Sequence, residues 1–178
     1  IGVNCLRDKD FPEILIGPDF TNLAHISQSA KRLAMYFNVN NKLLLIRDCF
    51  AGKIVCINNG ESANYNIKLF RGCKIDSHNN GGLILEIKGN ILLPGDCEYS
   101  AWPDILQSNF KNNCYKCLLV PHHGARMAVA SCVQNRPDDN LKLAIISYGN
   151  SGREKYGHPN CSHMRDLLEN GYKLCYTP

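Results

Sequence analysis

The sequence predicts a layered α/β protein. Three observations carry that expectation: short apolar runs bounded by turn residues fill the first half, a tight hairpin follows them, and the second half alternates strand-sized apolar segments with amphipathic stretches. Taken in order, residues 19–38 place Leu23, Ile26, Ala30, Leu33, Ala34 and Phe37 at helical spacing, with Asp19 or Thr21 available as the cap. Leu43–Ile46, Ile54–Ile57 and Ile67–Phe70 read as strands. Leu83–Ile87 and Ile91–Leu93 flank Lys88-Gly89-Asn90, whose Gly-Asn suits the positive φ angles of a hairpin turn.

Beyond the hairpin, Ser100–Phe110 is a predicted helix, with Pro103 tolerable only in its first turn. Tyr115–Val120 is a strand ending at Pro121, and Ala125–Val133 fits a helix. Leu143–Tyr148 is a strand leading into the polar loop Gly149–Pro159. Asn160 is placed to cap a last helix through Leu168, Gly171 closes it, and Tyr172–Tyr176 returns as a strand.

Composition narrows the partners. The 178 residues suffice for one domain with a core, and 44% hydrophobic with 20% charged residues is ordinary for a globular protein. Net charge is +4 and the pI about 8.5, short of the value above 9 expected of a dedicated nucleic-acid-binding domain. No Lys/Arg-rich run occurs, so attraction for an anion is local to a cleft. The longest apolar runs, Leu43–Ile46 and Cys117–Val120, are strand-sized, so no membrane span is expected, and the start shows no signal-peptide pattern. The chain lacks an initiator Met, which reads as a fragment or as a chain whose upstream part lies elsewhere.

The cysteines, at 5, 49, 56, 73, 97, 114, 117, 132, 161 and 175, are scattered without framework spacing. Cys56, Cys117 and Cys175 fall in predicted strands, where a free thiol behaves as a small buried hydrophobe. Reduced thiols in a cytoplasm are the expectation, with a disulfide-bonded exported protein the alternative. Cys114 and Cys117 do not make a zinc ribbon, because no second pair stands at matching spacing.

Three segments carry candidate chemistry. In Leu92-Leu93-Pro94-Gly95-Asp96-Cys97-Glu98 an apolar strand ends in a turn that presents an acid just past the sheet, where a carboxylate with two oxygens can bridge two cations. The alternative is that Asp96 simply caps the next helix. In Leu118-Leu119-Val120-Pro121-His122-His123-Gly124 another strand delivers two imidazoles, the commonest neutral metal ligand, and then a glycine that allows close backbone approach. Adjacent side chains in an extended segment point differently, so one His can ligate while the other faces substrate; the alternative is two surface histidines on a loop. The third is Tyr156-Gly157-His158-Pro159, in a glycine-rich loop with Arg153 and Lys155 that can bring His158 and a cation over a phosphate, or can be an ordinary polar loop. His25 and His163 lie in predicted helices and read as surface or packing residues.

Taken together, Asn79-Asn80 before a strand, Leu93–Glu98, Val120–Gly124, Ile145–Tyr148 and Tyr156–Pro159 resemble, in that order, the metallo-β-lactamase domain of the ComEC/Rec2 competence-protein family. The match covers residues 66–178; residues 1–60 match nothing nameable and read as a divergent helix-containing segment. The resemblance implies the carboxy-terminal half of an αββα sandwich, a mixed sheet flanked by helices, and a phosphodiesterase or nuclease acting with two divalent metal ions, zinc or manganese. By the same resemblance Asp96 looks like the carboxylate shared between the metals and His123 like a metal ligand. On that resemblance His122 and Glu98 would face the substrate phosphate, and His158 would be a phosphate-proximal or loop-ordering residue. The family's His-x-His-x-Asp-His motif does not occur here. Either those ligands lie upstream, or a partner chain supplies them, or the site has been lost. The competing functions are a small-molecule phosphoester or lactone hydrolase and a non-catalytic scaffold that binds a partner.

Overall fold

A computed structural model of the chain describes residues 15–18, 28–41, 43–46, 53–57, 65–74, 77, 79–112, 114–129, 142–147 and 156–177. Two strands, β1 (Leu15–Pro18) and β2 (Leu43–Ile46), pair in parallel. Parallel pairing needs a crossover, and α1 (Gln28–Val39) supplies it. Ala34 and Phe37 of that helix are buried, while Met35, Tyr36 and Val39 are exposed. The predicted helix over residues 19–38 is present from Gln28 onward; residues 19–27, His25 among them, lie outside the described residues.

Among the described residues the main sheet has seven strands whose spatial order follows the chain: β3 (Lys53–Ile57), β4 (Tyr65–Arg71), β5 (Leu83–Ile87), β6 (Ile91–Leu93), β7 (Cys117–Leu119), β8 (Lys142–Ile146) and β9 (Tyr172–Tyr176). From β3 to β6 the pairs are antiparallel; from β6 to β9 they are parallel. The helices α2 (Asp104–Lys111) and α3 (Cys161–Glu169) lie in the crossovers from β6 to β7 and from β8 to β9. The sheet is therefore mixed and the class α/β, as the strand, hairpin and helix pattern predicts.

Period-2 alternation sorts the side chains. Ile84, Leu92, Leu118, Ala144 and Ile146 point to one face and are buried beneath Trp102, Leu106 and Phe110 on one side and Met164 and Leu167 on the other. The opposite face is also apolar. Ile87, Ile91, Cys117 and Leu143 form one cross-strand row and Leu119 and Ile145 part of another, all half-buried. Parallel strands apolar on both faces belong between two layers.

One acid enters this core. Glu86 is buried and accepts a hydrogen bond from Tyr115 Oη at 2.7 Å, with Lys68 Nζ 3.7 Å from its other oxygen. Burial and the Glu86 bond push the Tyr115 hydroxyl well above the usual phenol range, so it stays a donor.

Three local expectations need correction. The helix expected over Ser100–Phe110 is split: Tyr99–Ala101 is a 3-10 turn, and α2 starts only after Pro103. Trp102, which precedes the proline, is extended at φ −72° and ψ 147°, because the proline ring disfavours a helical predecessor. Ala125–Val133 is not helical over the described residues 125–129; Ala125 is extended at φ −51° and ψ 161°, and residues 130–133 lie outside the described residues. In the hairpin, the positive φ angles fall on Lys88 and Gly89 rather than on Gly-Asn. Among the described residues no helix is long and apolar enough to cross a membrane.

Leu118 is wholly buried, while its neighbour Leu119 faces the half-buried side. In denaturant titrations Leu118→Ala should cost about 2–5 kcal/mol and Leu119→Ala clearly less. Equal losses would mean that the two faces of the sheet are equally packed.

Candidate metal and phosphate site

Because β6, β7 and β8 run parallel, their carboxyl ends emerge on one edge of the sheet. Open α/β sheets bind ligands in the crevice outside such ends. Asp96 follows β6, His122 and His123 follow β7, and Ser147 follows β8. The structure thus brings three of the residues singled out in the sequence onto neighbouring loops.

The Asp96 loop is held from several sides. Gly95 takes φ +58° and Cys97 N–H closes the turn onto Pro94 O at 3.1 Å. Trp102 Nε1 donates to Cys97 O at 2.8 Å, and the Glu98 N–H donates to Asn80 Oδ1 at 2.9 Å. The Asn80 turn is packed so closely that a Cβ on Gly72 would lie 2.1 Å from Asn80 O and 2.7 Å from Cys97 Sγ. Beside Asp96 the Cys97 thiol turns inward; burial, with help from Cys73 and Glu98, pushes it up to about 12. Its Sγ lies 3.6 Å from Asn80 O, on the inner side of the loop. Asp96 itself stays nearly half-exposed, its carboxylate turned out of the loop.

The histidine loop is bent the other way. His122 (φ 48°, ψ 45°) and His123 (φ 53°, ψ 24°) are both left-handed, and Gly124 continues at φ +79°. A non-glycine residue in that region is uncommon, and two in succession cost about 1–3 kcal/mol each. Surrounding contacts impose the bend. His122 N–H donates to Gly95 O at 2.9 Å, joining this loop to the Asp96 loop, and Asn160 N–H donates to Gly124 O at 2.7 Å. A Cβ on Gly124 would meet Pro159 Cβ at 2.8 Å, so this glycine does allow the close approach expected of it.

The bend separates the two imidazoles. His123 Nδ1 lies 2.6 Å from Ser147 O; a carbonyl only accepts, so Nδ1 carries a proton, and in the neutral ring the lone pair then falls on Nε2. That Nε2 lies 3.5 Å from Asp96 Oδ1. A metal-binding histidine characteristically gives its other N–H to a carbonyl or carboxylate in this way. His122 turns instead toward His158, their ring centroids 5.6 Å apart, and Tyr156 stacks on His158 at 6.0 Å. The Nδ1 atoms of His122 and His158 are both buried without a hydrogen-bond partner among the described residues. Burial lowers the pKa of His158, and His122 and His123 lower it further against the pull of Asp96, so all four residues share one electrostatic neighbourhood.

Glu98 stands apart from this group. It lends its backbone N–H to Asn80, and its carboxylate has no ion-pair partner among the described residues. Arg153 and Lys155 lie outside the described residues. One carboxylate and one oriented imidazole are donors that a metal ion could take, but no third His, Cys, Asp or Glu joins them among the described residues. Four ligands are usual for zinc, so these two donors account for part of a shell.

Sequence reading missed one contact of the site, and it left the surface and packing alternatives for His163 open. Ser147 acts through its carbonyl, which leaves no trace in residue type. His163, expected at the surface or in packing, is wholly buried, with Nδ1 donating to Ala125 O at 2.8 Å and Nε2 lying 3.1 Å from Tyr99 Oη. Burial lowers its pKa from the ordinary 6.5, outweighing the bonds to Ala125 and Gly124 and the charge of Asp166, which all raise it.

As pH falls, the unfolded chain therefore takes up a proton before the folded one. The contribution of His163 to stability is complete above about pH 6.5 and is lost as pH falls toward the lowered folded value. Urea titrations from pH 7.5 to 5 should show that decline, and His163→Gln should make it shallower; an unchanged slope would place the proton uptake elsewhere.

Comparison of the chain with family models, curated proteins and solved structures returns no match, so the chemistry of the site rests on its own geometry.

Proposed function

We propose that this chain is the carboxy-terminal half of a metallo-β-lactamase-fold phosphodiesterase, with Asp96 and His123 as metal ligands and His122 and His158 on the substrate side. The observation that carries the reading is the orientation of His123: its Nδ1 proton is committed to Ser147 O, leaving Nε2 to face the Asp96 carboxylate. The paired left-handed histidines support it, since strain of this kind concentrates at functional sites. The second apolar face of the sheet supports the αββα architecture, in which another sheet covers it. The remaining ligands would come from a segment outside the described residues or from a partner chain.

Divalent ions held there would lower the pKa of a bound water and neutralise charge on phosphate oxygens. The chain's own residues do the rest. Asp96 has a second oxygen for a second ion. His122 is positioned by its backbone bond to Gly95 O and by the ring of His158, and offers its imidazole to the developing charge or the leaving oxygen. His158, whose pKa is lowered by burial and by the neighbouring imidazoles, lies with its ring beside that of His122. Glu98 is reserved for contact with the substrate itself. Nucleic acid is the favoured substrate class, and the net charge of +4 is compatible with a polyanion.

The competing reading is a non-catalytic scaffold, and the absence of a third donor among the described residues favours it. Metal analysis and hydrolysis assays on the complete protein separate the two. Asp96→Ala and His123→Ala should each lose bound Mn²⁺ or Zn²⁺, whereas His122→Ala should keep its metal and lose about 100-fold in rate. Equal metal loss in all three variants would mean that the histidine roles are assigned wrongly. Failure of the metal-loaded complete protein to cleave DNA, RNA or a simple phosphodiester would leave the scaffold.

A further inference from the structure

His163 is a titratable side chain that reaches toward both ligand loops at once. It sits on α3, which contributes no donor to the site, and it is wholly buried. Both ring nitrogens are used. Nδ1 donates to Ala125 O at 2.8 Å, and Nε2, left with its lone pair, accepts from Tyr99 Oη at 3.1 Å. Tyr99 follows Asp96 by three positions, and Ala125 follows His123 by two.

From each contact a short path runs to a ligand. On one side the Tyr99 ring packs at 4.7 Å on Trp102, whose Nε1 holds Cys97 O beside Asp96. On the other, Ala125 N–H donates to His122 O at 2.9 Å, so the residue whose carbonyl His163 holds also closes the left-handed turn. Only an imidazole protonated on Nδ1, or a group with one donor and one acceptor at the same spacing, satisfies both partners. A wholly apolar replacement would leave a buried carbonyl and a buried hydroxyl without partners.

We propose that His163 is a positioning residue, which sets the placement of Asp96 relative to His123 through Tyr99 and Ala125. This rests on the metal-site reading above. The Tyr99 hydroxyl is the second half of the device, and the two act as one unit.

The test is Zn²⁺ affinity of the complete protein, measured by competition with a chromophoric chelator, alongside thermal unfolding. Tyr99→Phe keeps the ring in its aromatic cluster and removes only the hydroxyl. It should fold and bind Zn²⁺ about tenfold more weakly, as loss of outer-shell support does. His163→Leu should weaken binding by a similar factor, and the double variant no further than either alone. His163→Gln, which carries both a donor and an acceptor, should lie closer to the unmodified protein. Leu167→Ala, a wholly buried position on the same helix, should lower Tm while leaving Zn²⁺ affinity within about twofold. Unchanged affinity in Tyr99→Phe, or an equal loss in Leu167→Ala, overturns the positioning role alone. If Asp96→Ala binds Zn²⁺ as well as the unmodified protein, the metal-site reading fails and this proposal falls with it.

Discussion

Parallel pairing of β6, β7 and β8 is the constraint on which the site depends. Up to β6 the strands return on themselves through hairpin pairings, and their ends alternate between the two edges of the sheet. From β6 onward each strand starts again from the same edge, so the residues that leave the carboxyl ends accumulate at the other. A carboxylate, two imidazoles and the Ser147 carbonyl, from separate stretches of sequence, become neighbours without any loop having to span the sheet. The wholly buried Leu92, Leu118 and Ala144 fix this register, because a one-residue slip would turn each of them to the other face.

Within that frame the backbone resolves a conflict between adjacent histidines. In an extended strand the pair would simply point to opposite faces. The left-handed bend instead sends His123 to Ser147 O and Asp96, and His122 to His158. The bend is unfavourable in isolation and is held by neighbours: Gly95 O on one side, Asn160 N–H on the other, and a glycine where any side chain would strike Pro159. Local strain is balanced here by tertiary contacts rather than by local propensity.

Much of this was legible in the sequence. The apolar runs gave β2, β5, β6 and β9 at their observed bounds, because short apolar segments bounded by turn residues stand out from their flanks. Asn160 as the cap of α3 is confirmed by its side chain accepting from Ser162 N–H at 3.1 Å. Asp96 and the histidine pair stood out because polar residues at the end of an apolar strand are unusual. Other features left no signal. Ser147 contributes a main-chain oxygen; His163 lies on an amphipathic helix like any packed residue until its two partners are known. The break at Pro103 is a local effect of the proline on Trp102, whereas the extended Ala125 is held by His163 from a distant helix, which local propensity does not encode.

The central claim is that His123 is held as the tautomer with its proton on Nδ1 and its Nε2 lone pair toward Asp96. Long-range ¹H–¹⁵N correlation spectra of the histidine rings measure this directly. The account predicts a protonated Nδ1 and an unprotonated Nε2 at His123, with the Nε2 resonance moving when Cd²⁺ is added to the complete protein. A proton on Nε2, or an Nε2 resonance indifferent to Cd²⁺, would contradict it.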